Sequence, residues 1–231
     1  MPEIIPAILV KSKKQFYSRL NIAKKLAKTV QIDIMDGLFV NNKTPKALNS
    51  GAWFASYIQD YPDNIPNIEL HLMVINPWGI IRYWKDFEQV LRIIWHVEIP
   101  INHVELIQVV HGFKIQAGLA LNPETPLKNI TSYINPDGKT KFSEAYCDQI
   151  TVMGVHPGFS GQEFIKTSLK TISQLRKKFP ALPIAVDGGV NLKTAPAIIN
   201  AGATCLNAAG VIFLSHNPKS VYRNLKSLNL P

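Results

Sequence analysis

Residues 30–37, Val-Gln-Ile-Asp-Ile-Met-Asp-Gly, predict a short buried strand that ends in acidic residues and breaks at a glycine. Successive side chains of a strand point to opposite faces, so Gln31, Asp33 and Met35 share one face and the two isoleucines share the other. A carboxylate between isoleucines on a buried strand is costly unless it is paired, bound to a metal or used in catalysis. Asp33 is therefore a candidate functional residue.

The same pattern recurs at residues 69–73, Glu-Leu-His-Leu-Met, and at residues 185–189, Ala-Val-Asp-Gly-Gly. In each run a polar side chain of a type used in catalysis lies near the end of an apolar strand. These side chains are His71 and Asp187. Because the carboxyl ends of parallel strands meet at one edge of a sheet, Asp33, His71 and Asp187 are expected to converge on one site.

Strands and amphipathic helices alternate along the whole chain. The predicted strands are residues 3–9, 30–37, 67–74, 91–97, 114–121, 149–155, 183–187 and 204–208. The predicted helices are residues 13–27, 46–61, one after Pro77, 101–112, a short one opened by Pro126, 163–178, 192–201 and 218–225. Eight such units without a linker predict one (β/α)8 TIM barrel spanning residues 1–231 as a single domain. A doubly wound sheet is disfavoured because the first strand–helix turn lacks a G-x-G-x-x-G pattern.

Composition narrows the class of protein. The 231 residues are 46% hydrophobic and 18% charged, which is typical of a packed globular domain. Cys147 and Cys205 are too few and too far apart for a disulfide framework or a zinc cluster. No apolar run approaches the roughly 20 residues of a membrane span, which favours a cytoplasmic protein with no membrane partner. The net charge of +9 comes from scattered lysines that do not interleave with aromatics, which indicates a small anionic ligand and no nucleic acid.

Glycine-rich stretches follow the last three predicted strands. Backbone N–H groups in such loops often hold a phosphate group in barrel enzymes, and glycine lets the backbone approach the anion closely. The residues expected to bind phosphate or substrate there are Gly158, Phe159, Ser160, Gly161, Gly188, Gly189, Ala209 and Gly210. Three methionines near strand ends, Met35, Met73 and Met153, are expected to form soft walls of the same pocket.

Five segments make the chain resemble the ribulose-phosphate 3-epimerase family. They are residues 32–40, 70–74, 120–126, 153–162 and 186–190, in that family's order and across almost the whole chain. The resemblance implies that Asp33 and Asp187 act as acid and base on either face of a sugar. It also implies that both bind a divalent metal with two histidines, one of them His71, and that the glycine loops hold the substrate phosphate. His71 is expected to contact the substrate as well.

The chain departs from the family pattern at three places. Gln31 stands where the family has its other metal histidine, Ala7 replaces a serine in the first strand, and Ala209-Gly210 replaces Gly-Ser after the last strand. The resemblance implies zinc, iron, manganese or cobalt as the metal. A neutral amide oxygen at Gln31 is a poorer transition-metal ligand than imidazole, so the ligand set is one imidazole short.

The resemblance implies interconversion of D-ribulose 5-phosphate and D-xylulose 5-phosphate. Inversion next to a ketone needs one group to remove a proton and another to return one to the opposite face, through an enediolate. Asp33 and Asp187 are suited to these roles. Two alternatives stay open: a catalytically impaired paralogue that only binds a sugar phosphate, and an epimerase of a phosphoketohexose such as allulose 6-phosphate. The family commonly forms homo-oligomers, which is therefore the expectation here.

Overall fold

Eight parallel strands form a closed barrel in the order β1 to β8. The computed structural model of the chain describes residues 1–136, 145–159 and 161–228. The strands are β1 (Glu3–Ile8), β2 (Thr29–Met35), β3 (Asn67–Met73), β4 (Val90–His96), β5 (Gln116–Leu121), β6 (Gln149–Met153), β7 (Ile184–Asp187) and β8 (Cys205–Ala208). The predicted (β/α)8 architecture is confirmed.

Helices cover the outside of the barrel. They are α1 (Lys13–Ala23), α2 (Lys46–Asn49), α3 (Ala52–Asp60), α4 (Trp78–Trp84), α5 (His103–Gly112), α6 (Thr167–Lys178), α7 (Ala195–Asn200), α8 (Gly210–Phe213) and α9 (Pro218–Lys226). Within the described ranges, the β5–β6 connection holds two 3-10 turns, Leu127–Asn129 and Thr131–Tyr133, where the sequence predicts a short helix. No helix in the described ranges is both long and apolar enough to traverse a bilayer.

The first helix shows how local sequence defines an element. Ser12 caps its start, accepting a hydrogen bond from the backbone N–H of Gln15 at 3.3 Å. Phe16, Leu20 and Ala23 then lie on one face and are buried against the barrel. The apolar side of this amphipathic helix is therefore its packed face, although the helix ends at Ala23 and not at residue 27.

The helix predicted over residues 46–61 is wrong as a single element. It is divided into α2 and α3 at Gly51, whose φ of +74° is a left-handed conformation that breaks the helical path. A Cβ atom at Gly51 would lie 2.7 Å from the ring of Phe87. The backbone therefore turns here so that it can pack closely against an aromatic ring from the next unit.

The register of the strands positions the site. Every residue of β2 is buried, with Ile32 and Ile34 in the main core between barrel and helices. Gln31, Asp33 and Met35, which alternate with these isoleucines along the strand, face the barrel interior. Asp33 is level with His71 on β3, and Asp187 is level with Asn207 on β8. Side chains from four separate strands thus reach the same end of the barrel.

Candidate active site

A cavity of about 380 Å³ opens at the carboxyl ends of the strands, a size typical of small-ligand sites. The predicted site residues among its lining are Asp33, Met35, His71, Met73, Met153, Gly158, Phe159, Gly161, Asp187, Gly188, Gly189, Ala209 and Gly210. Ser160 lies outside the described residues. The structure therefore brings the three polar strand ends, the three methionines and the glycine loops to one cavity.

Asp33, His71 and Asp187 form a compact buried group. Each offers one ligand atom, and these atoms all lie within 4.8 Å of one another. The Nδ1 atom of His71 lies 3.1 Å from Asp187 Oδ2 and 3.6 Å from Asp33 Oδ1. It has no aligned hydrogen-bond partner among the described residues, although it is fully buried. A buried ring nitrogen that faces two carboxylates is suited to a shared cation, so these three residues could bind a metal ion.

Gln31 presents its amide nitrogen, and not its oxygen, to this group. Its Nε2 atom donates to Asp33 Oδ1 at 2.7 Å and to Asp187 Oδ2 at 2.6 Å. Its Oε1 atom accepts a hydrogen bond from Asn207 Nδ2. In this orientation the side chain holds both carboxylates together and offers no lone pair to a metal. Asp33, His71 and Asp187 therefore fit a metal ion, and Gln31 as it is oriented does not complete the ligand set.

Burial and mutual charge shift the ionisation of the group. Burial raises the pKa of Asp33, and the nearby charge of Asp187 acts in the same direction, while interactions with His71 partly oppose it. For His71, burial alone would lower the pKa. The carboxylates of Asp187 and Asp33 outweigh that effect and raise the pKa of His71 to about 9. The imidazole therefore carries a positive charge at neutral pH, beside two acidic groups that can exchange protons.

A second polar chain lies behind His71. The Nε2 atom of His71 is 3.0 Å from His96 Nε2, and His96 Nδ1 is 3.2 Å from Glu98 Oε2. Burial lowers the pKa of His96 to about 4, and the charge of His71 adds to this, so His96 is neutral. We assign the Nδ1 proton of His96 to the Glu98 contact, which leaves Nε2 free to accept from His71. Glu98 is held in turn by the backbone N–H of Asn122 at 2.7 Å.

Sequence reasoning missed His96, Glu98 and Asn207. A signal for His96 was present, because β4 ends in this polar residue after an apolar run, and β2 and β3 likewise carry Asp33 and His71 near their ends. Asn207 gave a weaker signal, as one amide within the short strand β8.

Asp36 has the turn role that its sequence position indicates. Its carboxylate accepts from the backbone N–H groups of Leu38 at 2.7 Å and Ile75 at 2.8 Å.

Glycines allow the loops after β6 and β7 to meet. A Cβ atom on Gly154 would lie 2.3 Å from the carbonyl oxygen of Gly188, and Gly188 itself has a φ of +94°. The loop after β6 is also tied to the loop after β2, because Asn42 Nδ2 donates to the carbonyl of Gly158 at 2.6 Å. The loops after β6 and β7, which border the cavity, are thus held in place by these contacts.

Comparison with known proteins agrees with this geometry. The model of the Ribulose-phosphate 3 epimerase family matches residues 3–213. The chain belongs to this family. The predicted family and the predicted isomerase activity on carbohydrates are therefore confirmed for this epimerase.

Relatives from distant organisms match most of its length. The chain is 32% identical over 198 residues to the ribulose-phosphate 3-epimerase of Schizosaccharomyces pombe, covering 86% of this chain and 80% of that one. It is 34% identical over 203 residues to that of Methanocaldococcus jannaschii, covering 86% and 78%. The Bacillus subtilis enzyme is 30% identical over 212 residues, covering 89% of each chain.

Solved structures support the fold of the epimerase. A 3-hexulose-6-phosphate synthase matches with a TM-score of 0.64 at 16% identity, covering 98% of this chain and 99% of that chain. The synthase from Salmonella typhimurium matches with a TM-score of 0.66 at 12% identity, covering 96% of each. At such low identity these matches concern the barrel architecture alone.

Proposed function

We propose that this epimerase interconverts D-ribulose 5-phosphate and D-xylulose 5-phosphate by proton transfer between Asp33 and Asp187. One observation carries the proposal: carboxylates from strands β2 and β7 lie beside the same cavity, within hydrogen-bond distance of one shared amide nitrogen. A sugar carbon between them would face one carboxylate on each side. Removal and return of its proton on opposite faces would invert that carbon.

The first step needs one carboxylate as base and the other as acid. The raised pKa of Asp33 brings its proton affinity towards that of a group working near neutral pH. One aspartate takes the proton from carbon 3 of the ketose, and the other delivers a proton to the opposite face. The roles are exchanged in the reverse direction, so a single pair of residues serves both epimers.

The enediolate formed between these steps carries negative charge. His71, protonated at neutral pH because its pKa is about 9, supplies a positive charge beside the carboxylates. The two N–H groups of Gln31 donate to Asp33 and Asp187 and keep these carboxylates in place beside the cavity. A divalent metal held by Asp33, His71 and Asp187 would take the place of the proton on His71, and would then supply the positive charge for the enediolate oxygens when bound.

The phosphate end of the substrate is proposed to lie at the glycine loops. Gly158 and Gly161 follow β6, Gly188 and Gly189 follow β7, and residues 209–210 follow β8; all border the cavity. The glycines of the first two loops have positive φ values, between +69° and +120°, which expose their backbone to a ligand. These loops are on the side of the cavity formed by β6, β7 and β8, beside the end of β7 that carries Asp187.

Solvent exchange tests the proposal directly. Ribulose 5-phosphate is incubated with the protein in D2O, and deuterium at carbon 3 and formation of xylulose 5-phosphate are followed by NMR. We expect both to appear, and unphosphorylated ribulose to bind and react more weakly. Parallel samples contain a chelator or one of zinc, iron, manganese and cobalt.

Two other outcomes identify the alternatives. Tight binding of ribulose 5-phosphate without deuterium exchange under any metal condition would favour a sugar-phosphate-binding paralogue, which the replacement of a metal histidine by Gln31 also favours. Faster exchange with allulose 6-phosphate than with ribulose 5-phosphate would identify a phosphoketohexose epimerase. The chemistry would be the same in that case, and only the fit of the cavity walls would differ.

A further inference from the structure

A chain of hydrogen bonds runs from β8 into the centre of the site. Cys205 Sγ donates to Asn207 Oδ1 at 3.4 Å, Asn207 Nδ2 donates to Gln31 Oε1, and Gln31 Nε2 donates to Asp33 and Asp187. Gln31 and Asn207 are 0% and 2% exposed, so water does not compete for their polar atoms. The direction of each bond is therefore set by the next one in the chain.

The inner end of this chain depends on whether a cation is present. Without a metal ion, the amide nitrogen of Gln31 faces Asp33 Oδ1 and Asp187 Oδ2, because a carbonyl oxygen there would be repelled by both carboxylates. A divalent metal ion bound between the carboxylates reverses this preference, since it attracts the carbonyl oxygen and repels the N–H groups. The amide of Gln31 is thus suited to opposite orientations in the two states.

The outer end of the chain allows such a reversal. A side-chain amide has a donor at one end and an acceptor at the other, so Asn207 can pair with Gln31 in either orientation if both turn together. Asn207 is kept in its present orientation by the thiol of Cys205, and a thiol is only a weak donor. Reversal would therefore leave no strong hydrogen bond unmade at this end.

We propose that Gln31 and Asn207 form a reversible amide pair, with Asn207 as a positioning residue. Without a metal, Gln31 Nε2 holds Asp33 and Asp187 together. With a divalent metal at Asp33, His71 and Asp187, both amides turn, and Gln31 Oε1 becomes the fourth ligand. The inference rests on the proposed function only in taking the two aspartates as acid and base. Its test measures metal affinity, which does not require turnover of a substrate.

The main test is Asn207→Asp. A carboxylate at this position can only accept from Gln31, so it favours the orientation with Gln31 Oε1 towards the metal ligands. We expect Asn207→Asp to bind Zn²⁺ at least about tenfold more tightly than the wild-type protein, measured by competition with a chromophoric chelator. Equal zinc affinity of the two proteins, including no detectable binding by either, overturns the proposal.

A double-mutant cycle separates the amide from the added charge. In a Gln31→Leu background there is no amide to turn, so Asn207→Asp should then give no gain in zinc affinity. A gain of the same size in that background means that the negative charge alone attracts zinc, and it overturns the proposal. Asn207→Leu, which adds no charge and cannot pair with Gln31, should not show the gain.

A measurement on the wild-type protein covers the case in which Asn207→Asp does not fold. The side-chain ¹⁵N–¹H signals of Gln31 and Asn207 are assigned from the two leucine variants and followed during zinc addition. Both signals should shift with one midpoint, because the amides turn together. No shift, or a shift of Gln31 alone, at saturating zinc overturns the proposal. Normal turnover without this coupling would count against the amide pair only, and coupling without turnover against the proposed function only.

Discussion

Gly188 is a position at which one added methyl group should disrupt the packing beside the site. Its φ is +94°, and a Cβ atom there would lie 2.3 Å from Val155 Cγ2 and 3.2 Å from Val155 Cβ. A non-glycine residue in such a conformation costs about 1–2 kcal/mol, and an overlap in a packed interior costs about 1–3 kcal/mol more. Gly188→Ala should therefore lower the free energy of unfolding by roughly 2–5 kcal/mol. For a domain of this size the melting temperature should fall by roughly 4–20 °C.

Gly161→Ala is the matched control. Gly161 also has a positive φ, +87°, but a Cβ atom there would meet nothing within 4 Å. Gly161→Ala should lower the free energy of unfolding, measured with urea, by the backbone strain alone, about 1–2 kcal/mol. Val155→Ala in the Gly188→Ala background should restore the part of the unfolding free energy that is lost through overlap. If Gly188→Ala is no more destabilising than Gly161→Ala, the close packing of the β6 and β7 loops is not what requires glycine.

Three further predictions follow from the site and its surroundings. Asp33→Asn and Asp187→Asn should each lower epimerisation about 10²- to 10⁴-fold, and each should retain deuterium exchange from only one epimer; loss of exchange from the same epimer in both variants would contradict the two-sided arrangement. Glu98→Gln should lower the free energy of unfolding by about 1–2 kcal/mol, because an amide N–H then faces one of its three hydrogen-bond donors; an unchanged urea midpoint would contradict this. Burial, with neighbouring tyrosines, raises the pKa of Tyr57 to about 12, so the unfolded state ionises first above pH 10 and stability should fall from there. Tyr57→Phe should lessen that fall, which urea titrations at several pH values would measure.

The barrel itself could be predicted because its signals are local. Strand β2 is buried at all seven positions, and the alternation of Val30, Ile32 and Ile34 with Gln31 and Asp33 is visible in the sequence. Boundaries set by distant contacts could not be predicted in the same way. The break at Gly51 depends on the ring of Phe87, which comes from another unit of the barrel. The short helix α8 gives too few residues for a periodic pattern.

In the site, too, features with a local signal could be predicted, and features that depend on distant contacts could not. Asp33, His71 and Asp187 could be predicted because each lies near the end of an apolar strand, and topology alone brings such ends together. The orientation of Gln31 could not, because it depends on Asn207, which is 176 residues away in the sequence. A sequence shows that an amide replaces a histidine, but only the three-dimensional neighbours show which end of that amide faces the site.

The hydrogen bond from Asn42 to the carbonyl of Gly158 joins two loops that are far apart in the sequence. Neither loop can be exchanged for that of a relative without also replacing its counterpart, since a lone graft would leave a buried donor or acceptor unsatisfied. Attempts to change the range of sugars accepted should therefore treat the two loops as one module. Libraries that vary the residues around Asn42 and Gly158 together should yield more folded proteins than libraries that vary either loop alone.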